Sequence, residues 1–256
     1  IKSSAASDVY KRQGLNKAKG EMYKFVTHTW NTVKGECFHN CRYCYMKKGA
    51  NHNEPVDEPR LDYSEFKTDL GSNNFIFVGS TIDLFANNIP DDWIVKTLDY
   101  CNAACNTLFF SNRYLFQSKN PKRILEFIKH PVFHHSTACT TIETNRFYQD
   151  VMQCSPKIED RVMAMEKIAD LGIDTYVTIE PIMDFDLDEM VNLIKRCKPE
   201  QVNIGKNTNK MVQLPEPPKN KVLSLIDELL KFTTVHIKDN IKEWIPDDYL
   251  QKSQSK

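Results

Sequence analysis

Three closely spaced cysteines are the residues of this sequence best suited to chemistry. Cys37, Cys41 and Cys44 form a CxxxCxxC pattern directly after an apolar segment. Thiolates spaced this tightly can surround one small inorganic centre, and three rather than four leave one metal corner without a protein ligand. Such an open corner is where an exogenous ligand can bind and react.

Other interpretations of the same cysteines stay open. A structural zinc site could take His28 or His39 as its fourth ligand, and the protein would then be a zinc-stabilised binding module, for example for nucleic acid. In that case lysines near the loop could contact phosphates, namely Lys17, Lys19, Lys24 and Lys34. An iron–sulfur electron carrier is disfavoured, because carriers normally ligate every iron with protein side chains.

Composition limits the function classes. The chain has 256 residues, of which 41% are hydrophobic, so it can bury one large core. Lys plus Arg and Asp plus Glu both number 34, and no overall charge therefore draws the protein to nucleic acid or to an anionic membrane. No run reaches the roughly 18 apolar residues of a membrane span. We expect a cytoplasmic location, where thiols stay reduced and available to metals.

The segments that flank the cysteines alternate between two hydrophobic periods. Runs rich in β-branched and aromatic residues predict strands, at 25–30, 75–78, 114–118, 136–144, 175–179 and 201–204, with a further terminal strand at 235–237. Stretches with apolar residues every three or four positions lie between most of them and predict helices. This alternation predicts an α/β fold with a mostly parallel sheet that closes wholly or partly into a barrel.

The two ends of the chain differ in character from the rest. Residues 3–13 are polar and lack any hydrophobic period, so we expect 1–14 to be a non-native or disordered leader. Residues 15–250 are predicted to form a single domain, and 251–256 a disordered tail.

Polar residues follow several of the predicted strands. In α/β barrels the site lies at the carboxyl ends of the strands. The residues at these positions are the cysteine loop, 79–83, Lys119, 143–145, Glu180 and Gly205. The sequence therefore predicts that these segments converge on one site.

The CxxxCxxC pattern after a first strand, with Tyr43 directly before its third cysteine, resembles the signature of the radical S-adenosylmethionine (radical SAM) superfamily. Five further segments resemble a phage-associated branch of that superfamily whose reaction is not assigned: 75–85, 118–121, 140–144, 178–181 and 202–205. The resemblance implies a partial (β/α)6 barrel of the radical SAM type, with a 4Fe-4S cluster and SAM as cofactors. Cys37, Cys41 and Cys44 would bind three irons, and the fourth iron would bind SAM.

The same resemblance implies roles for residues at the strand ends. Gly79, Ser80 and Thr81 would contact the SAM amino group, and Tyr43 would line the adenine. Glu143 would accept hydrogen bonds from the ribose hydroxyls, with a surface acid as the alternative. Asn203 and Gly205 would lie near the adenine, unless Gly205 is a plain turn glycine.

Three charged residues at strand ends are candidate catalytic residues. Asp83, Lys119 and Glu180 could bind substrate or the SAM carboxylate, although Lys119 and Glu180 could instead form an ion pair that only holds the barrel mouth. The resemblance implies a reductant such as flavodoxin or ferredoxin. The substrate is not indicated, and a nucleic acid or nucleotide is one hypothesis; no membrane partner is expected.

The remaining cysteines are mostly predicted to be structural. Cys101, Cys105 and Cys197 lie on apolar helical stripes, where small buried thiols are common. Cys139 lies on the same face of its predicted strand as residues expected to face the barrel interior. Its thiol could return a hydrogen atom to a substrate radical there, or it could only pack in the core. Cys154 suggests no specific role.

Overall fold

A computed structural model describes residues 14–20, 22–47, 58–105 and 111–252. Most of the predicted leader and the last four residues of the predicted tail lie outside the described residues. The strands within them are β1 Asn16–Lys17, β2 His28–Trp30, β3 Val33–Lys34, β4 Arg60–Leu61, β5 Phe75–Val78, β6 Arg113–Gln117, β7 Ser136–Thr141, β8 Asp174–Ile179, β9 Gln201–Ile204 and β10 Thr234–Ile237. All except β3 and β4 form one large sheet, in the order β1-β2-β5-β6-β7-β8-β9-β10.

The sheet is parallel from β2 to β10, and only β1 runs antiparallel to its neighbour. Its two edges, β1 and β10, do not pair with each other, so the barrel is partial as predicted. A small second sheet pairs β3, Val33–Lys34, with β4, Arg60–Leu61. Both strands lie between β2 and β5 in the sequence, with β3 before the cysteine loop and β4 after it.

Helices cover the outer face of the sheet. They are α1 Asp91–Ala103, α2 Pro121–Phe127, α3 Gln149–Met152, α4 Ile158–Asp170, α5 Leu187–Arg196, α6 Lys219–Leu229 and α7 Asp247–Lys252. Alternate strand residues such as Ile76, Phe116 and Val177 point outward into the main core, because successive side chains of a strand face opposite sides of the sheet. In that core they pack with helix residues such as Met165 and Ile194.

The inner face of the sheet holds a second, smaller apolar cluster. Tyr23, Phe77, Leu115, Cys139 and Tyr176 are buried there. Phe25 partly covers this cluster, stacking on Tyr23 with ring centroids 5.3 Å apart and meeting the Tyr176 ring edge-on at 5.4 Å. The segment before β2 therefore packs inside the barrel, on the inner face of the sheet.

Several element boundaries differ from the sequence predictions. β7 ends at Thr141 rather than at residue 144, which places Glu143 just beyond the strand. The first parallel strand begins at His28 rather than at residue 25, since Phe25 packs inside the barrel. The terminal strand exists and adds a seventh parallel strand. No helix in the described part of the chain is long and apolar enough to cross a membrane.

Candidate active site

A cavity of about 900 Å³ lies at the carboxyl ends of the parallel strands. All three cysteines of the CxxxCxxC pattern line it, together with the segments that follow β5, β6 and β8. Of the predicted site residues, those that line it are Cys37, Cys41, Tyr43, Cys44, Gly79, Ser80, Thr81, Asp83, Lys119 and Glu180. The structure thus brings ten of the predicted residues to one place, while Glu143, Asn203 and Gly205 do not line the cavity.

Successive tight turns curl the cysteine loop around the cavity. The Asn40 amide donates to the Cys37 carbonyl at 3.1 Å, the Cys44 amide donates to the Cys41 carbonyl at 3.2 Å, and the Lys47 amide donates to the Cys44 carbonyl at 3.0 Å. Asn40 takes a left-handed conformation with φ 52°, which Asn tolerates better than most residues. These turns present each thiol to the same cavity.

The surroundings of the thiols fit an iron–sulfur cluster. Burial raises the pKa of Cys37 to about 12 and also raises the pKa of Cys44. Both cysteines are half-buried and line the cavity. A coordinating metal deprotonates a thiol, and thiolates are the ligands of iron–sulfur clusters, so three thiols on one cavity wall have the chemistry that a cluster needs.

The two histidines considered as zinc ligands differ in their surroundings. His39 is buried with Nε2 2.7 Å from Asp83 Oδ2, and its Nδ1 has no hydrogen-bond partner among the described residues. His28 lies on β2 with Nδ1 3.0 Å from Thr27 Oγ1, and it does not line the cavity. Among the described residues, no three His, Cys, Asp or Glu side chains are grouped around a single-ion position.

Asp83 joins three segments of the cavity wall. Its Oδ2 accepts hydrogen bonds from His39 Nε2 at 2.7 Å, from Ser118 Oγ at 3.0 Å and from the Lys119 amide at 2.9 Å. Burial alone would raise its pKa, but His39 and these donors outweigh burial and lower it. The ionised carboxylate thereby fixes the cysteine loop against the ends of β5 and β6.

Glu143 is the centre of a buried charge network. Arg161 Nη1 donates to its Oε2 at 2.8 Å, and Tyr43 Oη and Lys119 Nζ both donate to its Oε1. Lys119 Nζ also lies 2.9 Å from Tyr43 Oη. Burial opposes ionisation of Glu143, yet Arg161 and Lys119 lower its pKa to about 2.

The position of Glu143 changes the roles expected for it. Its side chain is completely buried and does not line the cavity, so the alternative of a surface acid is wrong. Both carboxylate oxygens already bind protein groups, which suits a positioning residue for Tyr43 and Lys119 better than a direct ribose contact. The predicted ribose contact stays a prediction.

Glu180 binds Lys238 rather than Lys119, so the predicted Lys119–Glu180 ion pair is wrong. Lys238 Nζ lies 2.6 Å from Glu180 Oε2, and Asn240 Nδ2 donates to Oε1 at 2.9 Å. The reason lies in strand order, because Lys119 follows β6 beside β7, whereas Glu180 follows β8 on the far side of β7. Glu180 reaches Lys238, directly after β10, across Gly205, directly after β9, where a side chain would be in the way.

The turn after β5 approaches the cavity with its backbone. Gly79 has φ +78° and a Cβ there would lie 3.1 Å from the Ile82 carbonyl oxygen, so the turn requires glycine. Asn31 Oδ1 accepts from Ser80 Oγ and from the Thr81 amide, both at 3.1 Å. These contacts hold the predicted SAM-binding turn against the end of β2.

Asn203 points into the barrel below the cavity. It is completely buried, its Oδ1 accepts from Gln201 Nε2 at 2.7 Å, and its Nδ2 has no hydrogen-bond partner among the described residues. Cys139 is likewise buried in the inner apolar cluster, and burial raises its pKa. The predicted core positions of Cys101, Cys105 and Cys197 are confirmed, because all three are buried in the main core.

Several residues in the cavity wall and around it were not predicted from the sequence. Tyr45, directly after the third cysteine, donates from Oη to the Ser80 carbonyl. Asn209 is buried and its Nδ2 lies 3.4 Å from the carbonyl oxygens of Arg42 and Cys44. The polar run that follows Gly205 was the available signal, and the residues from it that line the cavity are Lys206, Asn207 and Thr208.

Gly205→Ala is expected to lower the free energy of unfolding by about 1–3 kcal/mol through overpacking. Its Cβ would lie 2.8 Å from Glu180 Oε1 and 3.1 Å from Asn240 Oδ1, so the Glu180–Lys238 pair would have to move. Thermal unfolding measures the change, with Gly14→Ala as control because nothing lies within 4 Å of a Cβ there. Equal melting temperatures for the two variants would show that the pair moves aside freely.

Comparison with known proteins supports the architecture. No protein-family model matches the sequence, and no similar curated protein is found. Solved structures do match, among them a spore photoproduct lyase variant with bound AdoMet and dinucleoside spore photoproduct, with a TM-score of 0.63 and 10% identity over 88% of this chain and 80% of that one. Another variant with dinucleoside spore photoproduct aligns with a TM-score of 0.62, 10% identity and the same coverage. The chain thus has the partial α/β barrel fold of the radical SAM type, shared with spore photoproduct lyase.

Proposed function

We propose that the protein is a radical SAM enzyme that holds a 4Fe-4S cluster on Cys37, Cys41 and Cys44. The observation that carries the proposal is the convergence of these three thiols on one cavity at the carboxyl ends of a partial barrel. A similar fold in a lyase with bound AdoMet supports it. We further propose that the protein belongs to the phage-associated branch of the superfamily and works in the cytoplasm. A flavodoxin or ferredoxin would supply its electrons.

The residues of the cavity have separable tasks in this proposal. Three thiolates would leave one iron to bind the amino and carboxylate groups of SAM. The backbone of Gly79, Ser80 and Thr81 would contact the amino group, and the Tyr43 side chain, fixed by Glu143 and Lys119, would border the adenine. When bound, the cofactors supply reductive cleavage of SAM and hydrogen abstraction.

The chain itself would position the substrate and exclude water from the reacting atoms. Asp83 and Glu143 stay ionised and hold the cysteine loop against the strand ends. Glu180 and Lys238 line the cavity as a pair, and we propose that they bind polar groups of the substrate.

A nucleic acid or nucleotide is the substrate class we favour. Basic side chains outnumber acidic ones in the cavity lining: Lys19, Lys47, Arg60, Lys119, Lys206 and Lys238 against Glu36, Asp83 and Glu180. Four of the six already pair with carboxylates, namely Lys47, Lys119, Lys206 and Lys238, so the lining would offer phosphates charged hydrogen-bond donors rather than a net positive charge. The dinucleoside photoproduct bound to the lyase supports the same class.

Anaerobic reconstitution with iron and sulfide tests the proposal. We expect a brown protein whose reduced cluster gives an electron paramagnetic resonance signal that changes when SAM is added, because SAM would bind the iron that lacks a cysteine. A brown protein whose signal SAM leaves unchanged would favour an electron carrier. A colourless protein that retains zinc would favour the binding module.

A further inference from the structure

A buried serine lies against the middle cysteine of the CxxxCxxC pattern. Ser155 Oγ is 3.1 Å from Cys41 Sγ, and both residues are buried. Either atom could donate while the thiol carries its proton. Once Cys41 binds iron as a thiolate its sulfur can only accept, so the hydroxyl must be the donor.

The segment that carries Ser155 is fixed to the cysteine loop by its backbone. The Arg42 amide donates to the Val151 carbonyl at 3.0 Å, and the Cys154 amide donates to the His39 carbonyl at 3.1 Å. Gln153, between these anchors, has φ 54° and ψ −115°, a conformation that costs a non-glycine residue energy. The position of the Ser155 hydroxyl is therefore set by the fold.

The hydroxyl has no competing partner within the part of the chain that the structure describes. The Ser155 amide donates to the Met152 carbonyl at 3.1 Å, a hydrogen bond that involves only backbone atoms. The single hydrogen bond of the side chain is the one to Cys41. A serine that served only as a turn or helix cap would direct its hydroxyl to a backbone group.

We propose that Ser155 is a positioning residue that donates a hydrogen bond to the cluster-bound Cys41 sulfur and raises the reduction potential of the cluster. This inference rests on the proposed function. Hydrogen bonds to cluster sulfurs are among the factors that set such potentials. A donor stabilises the reduced cluster more than the oxidised one, because the reduced cluster carries more negative charge.

Redox titration of the reconstituted protein tests this role. Ser155→Ala is expected to shift the midpoint potential to more negative values, and Ser155→Thr, which keeps the hydroxyl, is expected to retain the wild-type value. Ser136→Ala is the matched control, because Ser136 has the same 6% exposure as Ser155 and its hydroxyl bonds the Val132 carbonyl instead. It is expected to leave the potential unchanged.

A second measurement probes the iron–sulfur bond of Cys41 directly. Resonance Raman spectra of Ser155→Ala are expected to show Fe–S(Cys) stretching at higher frequency, because losing a donor strengthens the iron–sulfur bond. A potential and a spectrum equal to those of the wild type would overturn the proposal. So would a Ser155→Ala protein that holds no cluster beside a Ser155→Thr protein that does, since Ser155 would then act in assembly.

These outcomes separate this inference from the proposed function. A wild-type protein that assembles no cluster overturns both. A wild-type protein that assembles a cluster and responds to SAM, beside a Ser155→Ala protein with unchanged potential, overturns only the role of Ser155.

Discussion

Cys41→Ala is expected to abolish both the brown colour and the cleavage of SAM. Cys41 is the middle cysteine of the pattern and the middle ligand of the proposed cluster; it is buried, and its sulfur lies 3.1 Å from Ser155 Oγ. Without its thiolate, two cysteines would remain for the proposed cluster, which would need three. Iron and sulfide analysis together with the visible spectrum of the reconstituted variant checks this expectation.

Cys101→Ala is the matched control, because Cys101 is also a buried cysteine but packs in the main core away from the cavity. We expect it to keep full colour and SAM cleavage while losing a modest amount of stability. Loss of the cluster in Cys101→Ala would contradict the core assignment. A full cluster in Cys41→Ala would contradict the ligand assignment.

Glu143→Gln is expected to lower the free energy of unfolding by about 3–5 kcal/mol, because it leaves the buried Arg161 guanidinium without its counter-charge. Both side chains are completely buried, so water cannot replace the lost partner. For a chain of this size each kcal/mol lowers the melting temperature by about 2–4 °C. Thermal unfolding at neutral pH measures the effect.

The control is Asp170→Asn, which removes an exposed ion pair with Lys198 and should cost less than about 1 kcal/mol. The pKa of Glu143 is lowered from 4.5 to about 2, so its stabilisation is complete above its ordinary pKa and is lost as the pH falls toward 2. Wild-type and Glu143→Gln stabilities should therefore converge in acid. A constant difference down to pH 2 would contradict the pairing.

The alternation of elements could be predicted because local patterns determine it. The apolar run at 75–78 forms β5 with the predicted bounds, since a strand buried on both faces needs apolar residues throughout. The sequence also placed ten of its candidate residues on the cavity wall, because parallel strands end at the same edge of the sheet.

The partners of the charged residues could not be predicted from local patterns. Arg161 lies on α4, where an arginine usually faces solvent, and only the packing of α4 behind β7 brings it to Glu143. Lys238 follows β10, so its contact with Glu180 depends on the order of strands and on Gly205 between them. The role of Ser155 likewise depends on a turn that folds back onto the cysteine loop.

Formation of 5'-deoxyadenosine tests the central claim most directly. The reconstituted protein is reduced without oxygen, incubated with SAM and assayed by chromatography. We expect 5'-deoxyadenosine from the wild type and from Cys101→Ala, and none from Cys41→Ala. A fully reconstituted, reduced wild-type protein that forms no 5'-deoxyadenosine would contradict the central claim.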